Sequence, residues 1–423
     1  MRVFVISHTV FSATNNMGKT LLSYFQDFRP EEVAQFYVHS QIPTDGSVCQ
    51  RYYRMTDFEA VKSALTGKDY GTEFSSEDIQ RGRASGKNHA GFKRMVYRFG
   101  ERRTALGYVL RNAAWKRSRW NSEKLWRWVE EFQPDVVFFM AGDYGFLYDI
   151  AREIADHLGK PLAVACVDDH YLYNRNQHSL LGRLEHCLFL KTVHKTMARA
   201  SVIFTICPSM AREYEALFQK PCRVLHTAAP DKSVDTSPDG TKISYIGNLS
   251  YGRHSQLLDM GRVLRRMGQA VDVYSQEEDP RILKLLTEEN GIRFHGPVPA
   301  EQVSKIMSGS MAVIHTESFE EWIRQIVRFS VSTKIAESLM AGPCLIAYGP
   351  EGTASIDYLK ENGAAYVITS PEKLASGLEE ILSDGQLRQS IVKRARLLAQ
   401  RNHNPDVNAA NVRKWLGQVC GGT

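Results

Sequence analysis

At 423 residues, 43% hydrophobic and 24% charged, the chain is too long for one hydrophobic core and too ordinary in composition for a disordered or repetitive protein, so two domains of roughly 200 residues are expected. The run Met1-Arg2-Val3-Phe4-Val5-Ile6-Ser7 is too short for a signal peptide, and no stretch approaches the roughly 18 apolar residues of a membrane span, which predicts a cytosolic protein. Seven scattered cysteines without a C-x-x-C spacing exclude a disulfide framework and a zinc site, and the net charge of +6 is modest but unevenly spread.

In chain order, the strand Val3–Ile6 leads through a polar loop into Leu21, Leu22 and Phe25 at helical spacing, as in the first unit of a parallel sheet. The loop Asn15-Asn16-Met17-Gly18-Lys19-Thr20, read with Ala13, satisfies a relaxed phosphate-loop pattern. Six residues separate Ile6 from Ala13, however, whereas a true phosphate loop opens with glycine at the strand end, and the match is weak. Between Arg81 and Arg127 the chain carries 14 basic residues against Glu101 and Glu123, interleaved with Phe92, Tyr97, Phe99, Tyr108, Trp115, Trp120, Trp126 and Trp128. Such a segment suits a helix pair lying on an anionic bilayer, a nucleic-acid face, or a packed helix pair with a solvated basic side.

Apolar runs at 135–140, 162–167 and 201–206 alternate with helix-period segments such as Tyr148 to Leu158, so the first half reads as α/β. Residues 228–241 are rich in turn formers and mark a linker. The alternation restarts with strands expected at Ile243–Ile246, Val271–Tyr274, Ile292–Phe294, Ala312–His315, Leu345–Tyr348 and Tyr366–Ile368, and a helix buries Leu374, Leu378, Ile381 and Leu382. Two doubly wound α/β domains in tandem are expected, spanning 1–232 and 240–400.

Ligands of open parallel sheets bind beyond the carboxyl ends of the strands, where helix N-termini offer free N–H groups to anions. Three such loops stand out in the second half: Gly247-Asn248-Leu249-Ser250-Tyr251-Gly252-Arg253, His315-Thr316-Glu317-Ser318-Phe319-Glu320-Glu321 and Val331-Ser332-Thr333-Lys334. In the last, Ser332 or Thr333 can cap a helix with Lys334 in its first turn and Glu337 one turn later. That suits a pyrophosphate, with a surface ion pair as the plain alternative. In the first half, Gly142-Asp143-Tyr144-Gly145 and Asp168-Asp169-His170 follow strands and are expected to face a cleft between the domains, or merely to cap the strand ends.

The string Ser332-Thr333-Lys334-Ile335-Ala336-Glu337-Ser338-Leu339-Met340-Ala341-Gly342-Pro343, followed by Leu345 to Pro350, resembles the donor-binding segment of family 4 retaining glycosyltransferases. Gly247-Asn248-Leu249 resembles their phosphate loop, and Arg401-Asn402-His403-Asn404-Pro405 resembles the tail before a final helix, 401–423, that packs back on the first domain. The resemblance implies the GT-B fold, two Rossmann-like domains facing across a cleft. It implies that Glu337 binds the nucleotide ribose, that Arg253 and Lys334 meet the donor diphosphate, and that Gly247, Asn248, Ser332 and Thr333 line it. Asn16 and Gly18 would face the donor phosphates and the acceptor from the first domain, and Asp168 or His170 would approach the transferred sugar or the acceptor hydroxyl.

The family usually has two glutamates with seven residues between them, but the residue eight before Glu337 is Phe329; Glu317, Glu320 and Glu321 are candidates for the missing one, with Glu317 favoured as nearest the strand end. No Asp-x-Asp pair is present to hold a divalent ion, so no metal or other cofactor is expected and fixed cations must stabilise the leaving diphosphate. The resemblance implies a hexosyltransferase using a nucleoside diphosphate sugar, UDP favoured, on a glycan or lipid-linked acceptor in surface polysaccharide assembly. Because the family often glycosylates lipid-linked acceptors, peripheral attachment of residues 81–127 to the inner membrane face is preferred over nucleic acid. A same-fold epimerase and a non-catalytic partner of a glycan-assembly complex are the alternatives.

Overall fold

The computed structural model describes residues 1–13, 16–44, 46–81, 104–172, 179–229 and 239–421. The chain forms two compact units, the first from Met1–Leu225 together with the chain from Asn408 onward, the second from His226–Val407.

Unit 1 contains β1 (Val3–Ser7), β2 (Val33–Tyr37), β3 (Arg51–Arg54), β4 (Thr72–Ser75), β5 (Val136–Met140), β6 (Leu162–Cys166), β7 (Val202–Thr205) and β8 (Cys222–Val224). They lie in the order β4-β3-β2-β1-β5-β6-β7-β8, all parallel except β4, which runs antiparallel to β3. The runs Val-Phe-Val-Ile-Ser of β1 and Val-Val-Phe-Phe-Met of β5 are buried at every position and sit side by side, Val3 opposite both Val33 and Val136. Helices on both faces are what make such all-apolar strands possible.

Gln35 is the polar exception in this core, and it has a purpose. Its Nε2 donates to Ser7 Oγ at 2.8 Å and Thr9 O at 3.1 Å, and its Oε1 accepts from Phe11 N, which fixes the path of the chain leaving β1. The helix Pro405–Gly421 closes the same core with Val412 and Leu416, and Trp415 lies against Phe204. Its Arg413 grips buried Glu32 through two bonds of 3.0 and 3.1 Å. The boundary with unit 2 thus falls inside this helix, between Val407 and Asn408, later than residue 401.

The basic segment differs from the expectation. Residues 82–103, with Arg102, Arg103 and three of the aromatics, lie outside the described residues. In the remainder, helices Ala105–Arg117 and Glu123–Phe132 turn Tyr108, Trp115 and Trp128 into the core, Trp120 is buried in the turn between them, and Trp126 stacks on His157. Arg111 pairs with Asp57 at 2.8 Å, Arg119 with Asp69 and Lys124 with Glu73. These aromatics therefore hold unit 1 together and are not displayed to a bilayer. Exposed apolar surface comes from leucines instead, Leu106 and Leu110 of this same segment and, on the helix Leu180–Arg199, Leu180, Leu184 and Leu188, which are 84%, 58% and 55% exposed. No helix among the described residues is long and apolar enough to cross a membrane.

Unit 2 has six parallel strands, β9 (Asp239–Ile246), β10 (Val271–Tyr274), β11 (Ile292–Phe294), β12 (Ser310–Thr316), β13 (Cys344–Tyr348) and β14 (Tyr366–Ile368), in the order β11-β10-β9-β12-β13-β14. Most of the expected linker, 230–238, lies outside the described residues. The described ends of the unit are joined through His403, whose Nδ1 donates to Thr227 O at 2.7 Å while its Nε2 accepts from Tyr358 Oη at 3.0 Å. Burial pushes the His403 pKa down to about 4, which suits a neutral ring with one donor and one acceptor.

Helix Arg253–Arg266 approaches β11 so closely at Gly261 that a Cβ there would stand 2.5 Å from Asn290 O. Gly261→Ala is therefore expected to destabilise the protein by about 1–3 kcal/mol in urea unfolding, through overpacking against backbone that cannot yield. Gly417→Ala, where an added Cβ meets nothing within 4 Å, should leave the midpoint unchanged or slightly raised.

Candidate active site

The carboxyl ends of β9 and β12 lie side by side at the point where the strand order of unit 2 reverses, the position at which open α/β sheets bind ligands. From β9 the chain passes through Gly247 and Asn248 into two successive left-handed residues, Tyr251 (φ 57°) and Gly252 (φ 70°). This turn delivers the chain into the helix Arg253–Arg266. Gly252 is its N-cap and supplies no side chain, so the first amides of the helix are left without a side-chain cap, as an anion site requires. Only glycine fits here, because a Cβ would lie 2.9 Å from both Ile323 Cδ1 and Ser318 Oγ.

Arg253 is the first residue of that helix, and its guanidinium is already engaged. Its Nη2 lies 3.2 Å from both oxygens of Glu317, and its Nη1 donates to Asn248 Oδ1 at 3.1 Å. Glu317, just beyond β12, is 1% exposed, and His315 Nε2 stands 3.2 Å from its Oε1, off the line of a hydrogen bond. Burial by itself pushes the Glu317 pKa up, but His315 and Arg253 more than offset it and hold the carboxyl below its ordinary value. Glu317, expected against the donor sugar, is in this structure closed off and spent on Arg253. The exposed carboxylates of the segment are Glu320, which accepts from Trp322 Nε1, and Glu321, paired with Arg324.

The second cluster opens the helix Thr333–Ala341. Ser332 is its N-cap, with Oγ accepting from Lys334 N, while Ser332 N donates to Ser355 Oγ. Lys334 Nζ and Glu337 Oε2 are 2.6 Å apart, each about one-third exposed. Taken alone this is the surface ion pair that the spacing allows, and such a pair contributes little to stability. Both cations expected to meet a diphosphate are thus matched by a carboxylate of the same unit. Around them, Arg253 Nε, His254 Nδ1 and Ser275 Oγ are buried with no hydrogen-bond partner among the described residues, which is unusual unless a ligand supplies one. No group of three or more His, Cys, Asp or Glu among the described residues could hold a metal ion.

In unit 1, Asp168 is exposed and His170 half-buried in the turn after β6, while the neighbouring Asp169 accepts from Tyr171 N, Leu172 N and Tyr214 Oη and so caps that turn. Gly18 lies within the helix Asn16–Phe25, of which Asn16 is the first residue. Sequence reasoning named Asp143 and Tyr144 but missed His8, His39 and Arg111, which join them in a tighter cluster at the strand-order reversal of this unit, beyond β1, β2 and β5. There His8 stacks on Tyr144 at 4.6 Å and meets His39 at 5.6 Å, Arg111 lies 3.8 Å from the Tyr144 ring, and Tyr108 Oη donates to Asp143 at 2.6 Å. Burial first, then Arg111 and His39, push the His8 pKa well down, so its imidazole is neutral. The position of His8 directly after a strand was a usable signal; His39 follows a strand that the pattern did not show.

Removing one member of a buried ion pair leaves the other uncompensated, so Glu317→Ala is expected to cost about 3 kcal/mol of unfolding free energy. Because the folded pKa lies below the ordinary carboxylate value of 4.5, that contribution is complete above it and is lost as pH falls through the depressed value. Urea titrations of parent and variant should therefore converge on acidification below 4.5.

Residues 245–414 match the model of the family described as glycosyl transferase-like. No curated protein matches the chain in sequence. Among solved structures, HepE of Anabaena in complex with UDP is 11% identical with a TM-score of 0.63, covering 99% of this chain and 100% of that one. The UDP-forming alpha,alpha-trehalose-phosphate synthase of Burkholderia xenovorans is 10% identical with a TM-score of 0.57, covering 98% and 100%. WaaG, a glycosyltransferase involved in lipopolysaccharide biosynthesis, is 12% identical with a TM-score of 0.53 and covers both chains fully. The fold extends along essentially the whole length of both chains in each comparison, and the glycosyl transferase-like segment takes in the strand ends that carry Arg253, Glu317 and Lys334: the chain has the fold of the GT-B glycosyltransferases, and its segment 245–414 is glycosyl transferase-like.

Proposed function

We propose that the protein transfers a hexose from a UDP-sugar, with retention at the anomeric carbon and without a metal ion, to a glycan or lipid-linked acceptor in surface polysaccharide assembly. The observation that carries the reading is the arrangement of unit 2: two helix starts beyond the strand ends, each with a cation held by a carboxylate of its own unit. A diphosphate arriving there would take Lys334 from Glu337 and bind Arg253 through Nε, which is buried without a partner, beside the bonds to Glu317 that Arg253 keeps. Glu337, released from Lys334, is then free to accept hydrogen bonds from the ribose diol.

Transfer breaks the bond between the anomeric carbon and the diphosphate oxygen, and negative charge grows on that oxygen. Arg253, Lys334 and the uncapped amides of the helix Arg253–Arg266 meet it as fixed donors, which is where the barrier is lowered. Asp168 and His170, with the neutral imidazoles of His8 and His39, are the acceptor-side groups of this proposal. UDP is favoured because HepE has been solved with UDP and with UDP-glucose, and a lipid-linked acceptor because WaaG acts in lipopolysaccharide biosynthesis.

Calorimetry tests the donor site. UDP should bind the parent equally in EDTA and in magnesium, and Glu337→Ala should weaken it by about 1.5–3 kcal/mol with the melting temperature unchanged. Equal UDP affinity in the variant would remove Glu337 from the site, and binding abolished by EDTA would refute the metal-free reading.

Attachment to an anionic membrane belongs to the same proposal, now supported by leucines and not by the buried aromatics. Leu180, Leu184 and Leu188 are followed on the same helix by exposed Lys191 and Lys195, and Arg183 lies between them. Sedimentation with vesicles should rise with the anionic lipid fraction and fall with salt, since attraction is screened over about 8 Å at physiological ionic strength. Leu184→Gln with Leu188→Gln should reduce it while leaving UDP affinity intact. No sedimentation with anionic vesicles would end this part of the proposal.

A further inference from the structure

Two large aromatic side chains of unit 2 stand in solvent next to the Arg253 cluster: Trp322, 61% exposed, and Tyr251, 48% exposed. Neither position is casual. Tyr251 holds a left-handed φ of 57°, a conformation that a bulky residue rarely adopts and that costs free energy for as long as it is kept. Its ring centre lies 6.0 Å from the Arg253 guanidinium carbon.

Trp322 lies in the first turn of the helix Glu321–Val327, and its ring is oriented by the 2.7 Å bond from its indole N–H to Glu320. The two segments are in contact, because Ile323 and Ser318 fill the space in which a Cβ of Gly252 would sit. Both rings are therefore carried by chain that packs around the start of the Arg253 helix. Glu320 and Glu321 place exposed carboxylates beside the indole.

We propose that Trp322 and Tyr251 form a stacking platform for a pyranose ring beside the diphosphate site. A sugar presents an apolar face of C–H groups and a rim of hydroxyls, and an exposed aromatic ring flanked by carboxylates matches both. The apolar face covers the ring, while the hydroxyls donate to Glu320 and Glu321. The inference rests on the nucleotide-sugar reading above and adds to it the residues that hold the sugar, whether that sugar belongs to the donor or to the acceptor.

Trp322 offers a direct readout, as the other five tryptophans of the chain, at 115, 120, 126, 128 and 415, all lie in unit 1. Tryptophan emission is followed while UDP, then UDP-glucose, UDP-galactose and UDP-N-acetylglucosamine are titrated separately, with calorimetry in parallel. Methyl glucoside, methyl galactoside and N-acetylglucosamine are then added to the UDP-saturated protein. At least one sugar should change the emission beyond UDP alone, and the change should vanish in Trp322→Leu. A response to the UDP-sugars assigns the platform to the donor, and a response to the free glycosides assigns it to the acceptor.

Trp322→Ala should weaken the responding ligand about three- to tenfold and leave UDP unchanged, with Trp322→Phe retaining most of the affinity. Tyr251→Gly should weaken the same ligand although the fold is equally or more stable, since the backbone strain is relieved. UDP binding without any sugar response at Trp322 overturns the platform and leaves the nucleotide reading standing. No binding of UDP or of any UDP-sugar overturns the nucleotide reading, and the platform with it.

Discussion

A carboxylate sealed under the ends of parallel strands is costly to keep charged, and the layout around β12 follows from that cost. Glu317 keeps its proton off because Arg253 and His315 reach it. For Arg253 to do so it must stand at the first position of its helix, and the chain arrives there through the left-handed pair Tyr251-Gly252. On the other side, Gly349 follows β13 so closely that a Cβ would be 3.0 Å from the Glu317 backbone oxygen and Cβ. The glycines, the strained tyrosine and the ion pair are parts of one constraint.

The two units carry sites of opposite electrostatic character. In unit 2 Arg253 and Lys334 each stand paired with a carboxylate, so neither presents a bare positive charge. In unit 1 the cluster beyond β1, β2 and β5 has been discharged by burial, with His8 and His39 both pushed towards the neutral form beside Arg111. Neutral imidazoles can accept a proton from a hydroxyl, which is the chemistry an acceptor site calls for.

How far the sequence could be read depended on what each strand buries. β1, β5, β6, β7, β12 and β13 are largely buried, mostly apolar runs, and these, with the more mixed β9, β10, β11 and β14, were each expected close to their place. β2, β3, β4 and β8 escaped notice because Gln35 interrupts β2, arginines bound the two tyrosines of β3, β8 is three residues long, and the antiparallel edge strand β4 has only Phe74 to bury. At the site, spacing correctly brought Lys334 to Glu337 and Ser332 to the helix start. It could not show that Glu317 turns inward, since that depends on contacts between residues 64 apart. The basic, aromatic segment misled for a related reason: composition does not say which side of a helix faces the core, and four of its aromatics had been recruited there.

The fastening at His403 bears on how such a chain can be taken apart. Unit 2 begins at His226 and ends at Val407, and near those two ends one imidazole joins Thr227 to Tyr358 while Ala229 N donates to His403 O. Unit 1, by contrast, is discontinuous, built from two stretches of chain on either side of unit 2. In topological terms unit 2 is an insert with its own clasp near its two ends. An insert of that kind can be exchanged, excised or circularly permuted as a cassette with its clasp intact. Whatever unit 2 recognises is then a heritable module, separable from whatever unit 1 recognises.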